Sequence, residues 1–516
     1  RQMCIRDSLA RCATGSRCLF EVRIVHPFRI ARSAMVTALA GALCTGIAAP
    51  AGAQTGDTLT LAQAVDMAQR LGFAARVASS SRDAARWRDE AFASRLLPQL
   101  SLTSDLPIYN RSIIQVVQPD GTARFVPQQQ RTAALGLNVS QRLPFTGGDF
   151  FVSSQLTNVN IAGTQNSKLW RSTPVQVGIR QSLLRPNALR WDSREQDLRI
   201  QVADRQYLEA REDIALQTSL LYFDVYAARA NLMNAEGNSL VNDTLYTLNK
   251  GRYEVGKIGE NDLLQSELAL LRSRNALDQA RLDFARTSSA LRIQLGVLPG
   301  APLNVVAPTD IPSIVADTTT AVLHALKNRS QQRDLDLQDV QSQRRVNEAR
   351  LNNGLGATVS AAVGYNQSAQ TFNSALQSPL QSQQFSVSIE MPIVQWGGRN
   401  EQIQAAKADR NRVTTQAQAA RAQTAQEAHF AALQLAQSER QLALSAKTDT
   451  VASKRFEVAK NRYVIGRIGI DNLYLAQNEK DQALLQYVQA LRGYWDAYYR
   501  LRRITLYDFE TRSPIR

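Results

Sequence analysis

The sequence predicts a mainly α protein with membrane β-strands: a trimeric, twelve-stranded β-barrel continued by a long α-helical coiled-coil barrel, built from an internally duplicated chain. Three observations lead there. The octet Arg252-Tyr253-Glu254-Val255-Gly256-Lys257-Ile258-Gly259 returns 210 residues later as Arg462-Tyr463-Val464-Ile465-Gly466-Arg467-Ile468-Gly469, and self-similarity of this kind means that one supersecondary unit was built twice. Two windows of more than a hundred residues, from Pro186 to Pro299 and from Pro392 to Pro514, contain no proline. Between the helical windows lie short stretches whose apolar residues alternate with period two, the mark of a strand with one apolar face.

Taken in chain order, the first segment is 1–53. Arg29 and Arg32 precede an apolar run from Ala34 to Ala49 and the small residues Ala51-Gly52-Ala53, the basic, apolar, small order of a secretory signal. All four cysteines, Cys4, Cys12, Cys18 and Cys44, fall in this segment, so the remainder offers neither disulfides nor thiol chemistry. A lipid anchor at Cys44 is disfavoured by Leu43, which stands where a lipoprotein signal needs a small residue. Residues 54–312 then form the first structural repeat and 313–516 the second.

Each repeat opens on a helical stretch and continues into strands. Leu100 and Leu102 alternate with Gln99, Ser101 and Thr103, and Val175, Val177 and Ile179 with Gln176, Gly178 and Arg180. In the second repeat the apolar rows are Leu355, Ala357, Val359, Ala361, Val363 and Tyr365, then Val387, Ile389, Met391 and Ile393. Such strands suit a barrel that meets lipid outside and water inside. Four strands leave open edges that hydrocarbon does not tolerate, so the expected solution is three chains, giving twelve strands and twelve helices. The halves are offset by 257 residues before the strands and by 210 after, which leaves the first half 47 residues longer. Those residues hold a hairpin pattern, Leu135, Leu137 and Val139, the turn Pro144 to Asp149, then Phe150 to Asn160; because the second strand alternates poorly, the expectation over about 118–174 is an external loop or cap, with a pair of extra barrel strands as the alternative.

The proline-free windows predict long helices at about 188–254 and 399–463, with return helices at about 260–296 and 469–505. A helix of about 65 residues is about 100 Å long. Gly256 to Gly259 and Gly466 to Gly469 sit where each long helix must end and turn back, the place where glycine supplies a left-handed cap.

With those elements in order, the chain resembles the TolC-like outer-membrane efflux channels. The resemblance spans essentially everything after the signal segment. It rests on the opening helix Leu59-Thr60-Leu61-Ala62-Gln63-Ala64-Val65, on Leu96-Leu97-Pro98-Gln99-Leu100 before the first strand, on the repeated Arg-Tyr-x-x-Gly-x-x-Gly turns, and on Pro392 and Gly397-Gly398 before the second long helix. It implies a homotrimer in outer-membrane lipid whose helical barrel extends into the periplasm, with an equatorial belt around the Gly296 to Pro312 loop. It also implies a passive exit duct of a tripartite efflux or type I secretion system, docked on a periplasmic adaptor (a membrane fusion protein) that is fed by an inner-membrane transporter. The adaptor would meet the helix turns, here Tyr253, Gly256, Lys257, Ile258, Gly259, Tyr463, Gly466, Arg467, Ile468 and Gly469, with Ile258 and Ile468 expected to be exposed. A gate of polar links would draw on Arg252, Asp262, Arg462, Asp471 and Asn472. Leu475 stands where the best-studied relative has a second acid, a departure that disfavours a cation-binding ring and leaves an Asp–Arg latch as the alternative.

Other classes find little support. The chain carries net charge +15; without 1–53, which hold seven Arg against Asp7 and Glu21, 53 basic face 43 acidic residues, or +10. That charge is dispersed along helices without interleaved aromatics, unlike a nucleic-acid footprint. Outside 1–53 the histidines are His324 and His429, with no metal-ligand spacing, nucleophile motif or phosphate loop beside them, so neither enzyme nor cofactor is expected. The rival class is an interaction protein, a periplasmic adaptor or a coiled-coil surface protein; an adaptor has one helical hairpin where this chain has two, and an adhesin would show sustained heptads without a mid-chain duplication.

Overall fold

The computed structural model describes residues 58–515 except 118–119, 164–165, 298–299, 301–302, 309–310 and 312–313. The secretory-signal segment, Pro299, Pro302 and Pro312 therefore lie outside the described residues. The duplication is visible element by element. Helices α1 (Leu61–Leu71) and α2 (Phe73–Ser94) correspond to α5 (Thr318–Asn328) and α6 (Ser330–Asn352). The long helices α3 (Ala188–Glu254) and α8 (Gly398–Val464) have 67 residues each, and the return helices α4 (Glu260–Leu295) and α9 (Ile470–Thr505) have 36 each. These bounds agree with the sequence reading to within one residue.

Local chemistry sets the ends. Thr60 caps α1 by a capping box, its hydroxyl accepting from the Gln63 N–H while the Gln63 side chain accepts from the Thr60 N–H, which satisfies two otherwise orphaned donors. Asn187 caps α3 by accepting from the Arg190 N–H at 3.1 Å. The break between α1 and α2 falls at Gly72, where a Cβ would lie 2.4 Å from the Ala68 carbonyl oxygen and 2.9 Å from that of Gln294; only glycine lets α4 approach so closely.

The strands form one antiparallel sheet in the order β1 (Gln99–Val117), β2 (Ala123–Arg142), β3 (Asp149–Gly163), β4 (Ser167–Leu183), β5 (Gly356–Ala369) and β6 (Leu380–Glu390), with the short α7 (Phe372–Leu376) between the last two. This corrects the strand count. The 47-residue excess is not a cap: it supplies β2 and β3, hydrogen-bonded between β1 and β4 over the height of the sheet. Six strands per chain, not four, follow from the pairing. The Pro144 to Gly148 turn lies at the helix end, where Asn187 at the start of α3 donates to the Pro144 carbonyl at 2.9 Å.

Register aligns one apolar face across the sheet. Leu100, Val139, Val152, Val177 and Val363 form one cross-strand row that ends on Gln383, and Phe150, Ile179, Ala361 and Phe385 another that starts on Gln141. The opposite face is polar: Ser101, Asn138, Ser153, Gln176, Gly364 and Ser382 run across all six strands. β1 and β6 are edge strands, exposed along nearly all their length. Among the described residues no helix is long and apolar enough to cross a membrane.

The main core lies midway along the helices, where Tyr222 and Phe223 of α3, Leu291 and Leu295 of α4, Leu435 of α8 and Leu491 and Tyr494 of α9 are fully buried together. The Tyr222 hydroxyl lies 2.7 and 2.6 Å from the carbonyl oxygens of Leu59 and Val306, tying α3 to the bridge between Leu59 and Val305. Burial pushes the Tyr222 phenol up to about 12, so it stays a neutral donor. Within the segment expected to form the belt, Asn304 to Val306 thus pack on the start of the first repeat.

Candidate functional site

Both helix turns are built on the same hydrogen-bond scheme. After α3, the Gly256 N–H donates to the Tyr253 carbonyl and the Lys257 N–H to the Arg252 carbonyl, both at 2.8 Å; after α8, the Gly466 and Arg467 N–H groups donate to Tyr463 and Arg462 at 2.9 Å. This pair of 5→2 and 6→1 bonds is a Schellman cap, and it needs a left-handed residue after the last helical one. Gly256 and Gly466 meet that need with φ of +69° and +76°. Gly259 and Gly469, with φ of −78° and −73°, are the N-cap residues of α4 and α9, and so have a different role from their partners in the motif.

The turns differ in what their side chains do. Tyr463 is buried and its hydroxyl donates to Asn249 Oδ1 at 2.8 Å, with the Arg252 guanidinium 5.4 Å from its ring centre. Tyr253, its counterpart, is exposed. Arg252 also donates to the Val464 carbonyl at 3.1 Å, and Gln265 to Asp471 at 2.8 Å. A small core of Leu245, Tyr463, Ile470 and Leu473 holds the two hairpins together near their ends. Tyr474 packs against it; burial and the neighbouring Tyr463 raise its phenol to about 12.

Two expectations about side chains change here. Ile258 and Ile468 are half-buried, and Ile468 packs on the core just described, because each chain turns inward at the N-cap glycine that follows. The exposed apolar residues are Val255, 67 % exposed, and Ile465, 64 %, which share one position of the repeat. The signal for them was the Val/Ile exchange immediately before Gly256 and Gly466. Lys257 and Arg467 are exposed as well. Among the gate candidates, Arg252 and Asp471 belong to the polar links across the two hairpins, while Asp262, Arg462 and Asn472 make no side-chain hydrogen bond or ion pair among the described residues, so that no ion pair joins Asp262 or Asp471 to Arg252 or Arg462 within the chain.

No family model matches the sequence and no curated protein matches it. Solved structures do. The Campylobacter jejuni CmeC outer membrane channel aligns with a TM-score of 0.62 at 16% identity, over 88% of this chain and 86% of that one. The chain has the TolC-like outer-membrane channel fold. The outer membrane protein VceC of Vibrio cholerae gives a TM-score of 0.61 at 14% identity, covering 86% of this chain and 95% of that one. The open state of the Neisseria gonorrhoeae MtrE outer membrane channel gives 0.58 at 14% identity over 86% and 88%. At these identities the TolC-like likeness is one of fold.

Proposed function

We propose that three copies of the chain close their sheets into one barrel in the outer membrane and align their helices into a tube through the periplasm, forming a passive efflux or secretion duct. The observation that carries this is the pair of unpartnered edges, β1 and β6, on a sheet with one apolar face. In hydrocarbon, an open edge leaves unpaired backbone groups at several kcal/mol each; pairing β6 of one copy with β1 of the next removes every edge. Six strands per chain make the barrel eighteen-stranded, a size that leaves an aqueous channel, in place of the twelve first expected. Phe145 and Trp396, 96 % and 95 % exposed at the helix end of the sheet, suit the aromatic girdle of a membrane interface.

The helices support the same closure. Within the chain α3 meets α9 through Asn234 and Asn238, both donating to Asp481 at 2.8 Å. Their counterparts in the repeat, Leu444, Thr448 and Leu271, are exposed. Leu444, Val451 and Val458 recur at seven-residue spacing on α8, and Leu264, Leu268 and Leu271 at 4–3 spacing on α4, all exposed. These are coiled-coil seams, and the α8 seam of one copy fits the α4 seam of its neighbour.

At the far end, Val255 and Ile465 with Tyr253, Lys257 and Arg467 offer a docking surface to a periplasmic adaptor served by an inner-membrane transporter. Fully enclosing such an apolar side chain contributes about 1.5–3 kcal/mol per site. Val255→Glu with Ile465→Glu should leave the trimer assembled while abolishing export and adaptor cross-linking. Normal export by that assembled double variant would refute the docking surface.

A further inference from the structure

We propose that the mouth between sheet and helices is an arginine collar that favours anions, so that the duct takes solutes bearing carboxylate, phosphate or sulfate groups. The proposal rests on the closed barrel above, in which the polar face of the sheet lines the lumen. On that face, the last row that still spans β2 to β6 before the helices is Arg142, Asp149, Arg180, Ser360 and Ser386, with Ser182, Thr358 and Ser388 beyond it on β4 to β6. Arg95, at the end of α2, reaches the same cavity of about 710 Å³, which Gln99, Asn138 and Ser153 also line. Three guanidinium groups thus face one carboxylate, and Arg142 lies 3.9 Å from Asp149 in a loose, exposed pair.

The excess continues toward the helices. Arg88 lies on the same face of α2 as Arg95, and with Arg142 and Arg199 it lines the adjoining groove between α2 and α3. The acids nearby are already engaged or turned elsewhere. Asp192 and Glu195 are both held by Arg344, at 2.6 and 2.9 Å, and Glu195 also binds Arg199 at 2.8 Å. Glu390 is bound by Arg185 at 2.8 Å. Asp89 and Asp197 do not line the groove. Arg88, Arg95 and Arg180 are exposed and form no ion pair among the described residues. Three copies would repeat this set around one ring, and same-sign charges lining a low-dielectric passage concentrate the opposite ion.

The test is the reversal potential of the purified protein in planar bilayers across a potassium chloride gradient. The wild type should prefer chloride to potassium roughly tenfold at low salt, the lower end of what a charged cleft supplies. The preference should fade at 1 M, where the Debye length is about 3 Å. Arg95→Gln with Arg142→Gln and Arg180→Gln should bring the ratio near unity, whereas lysine at all three positions should preserve it. If the triple glutamine variant fails to assemble, Arg95→Gln alone, at an exposed helix end, should lower the ratio part of the way. A cation-preferring or indifferent wild type, or an unchanged ratio in the glutamine variants, overturns the collar while leaving the duct in place. Absence of any conductance contradicts the duct, and the collar with it.

Discussion

Replacing Gly256 and Gly466 by alanine isolates the backbone contribution to the two tip turns. Both hold left-handed φ, +69° and +76°, and a Cβ at either meets nothing within 4 Å, so packing does not enter. An L-residue in that conformation costs about 1–2 kcal/mol, or about 5- to 30-fold in the equilibrium for opening the turn. The reporters are the N–H groups of Lys257 and Arg467, which donate to Arg252 and Arg462 at 2.8 and 2.9 Å. Their hydrogen exchange should accelerate by that factor in the alanine variants, since exchange follows local opening. Gly259→Ser and Gly469→Ser provide the control: φ is ordinary there and serine is a good N-cap, so protection should hold or rise. Unchanged exchange in the alanine variants, or equal acceleration by serine, would refute the assignment of separate roles to the two glycines of each motif.

Tyr463→Phe should loosen the tip by about 1–3 kcal/mol, because it leaves the buried Asn249 side chain without its donor, while Tyr253→Phe at the exposed counterpart should do nothing; exchange rates at the ends of α3 and α9 read the difference. Glu212→Gln should lower stability by about 3 kcal/mol, since Arg502 loses a buried carboxylate at 3.1 Å and keeps Asp508 as its remaining ion-pair partner beside the Tyr498 hydroxyl. Thermal unfolding in detergent measures it, and a shift near zero would mean that Asp508 alone compensates the guanidinium.

The helices were legible because their signals are local. The absence of proline marks their length, and the repeated glycines mark their ends, so α3, α4, α8 and α9 were placed to within one residue. The strand count was not legible, and β3 shows why. Phe150 and Phe151 are adjacent, and beyond them apolar Leu156 shares a face with polar Ser154 and Asn158, so alternation fails as a guide; what fixes β3 in the sheet is its pairing with β2 and β4. Tertiary contact also hid the tip. Ile468 is covered by a core that includes Leu245 from α3, more than two hundred residues away in sequence, whereas Val255 and Ile465 remain outside it. The arginine mouth was equally invisible, because Arg95, Arg142 and Arg180 meet only through register.

The most direct test of the account is electron cryo-microscopy of the detergent-extracted protein. The account predicts three copies enclosing one eighteen-stranded barrel, with β6 of each copy paired to β1 of the next and the α8 seam packed on the neighbouring α4. A monomer, or a barrel in which β2 and β3 lie outside the wall and twelve strands close it, would contradict it.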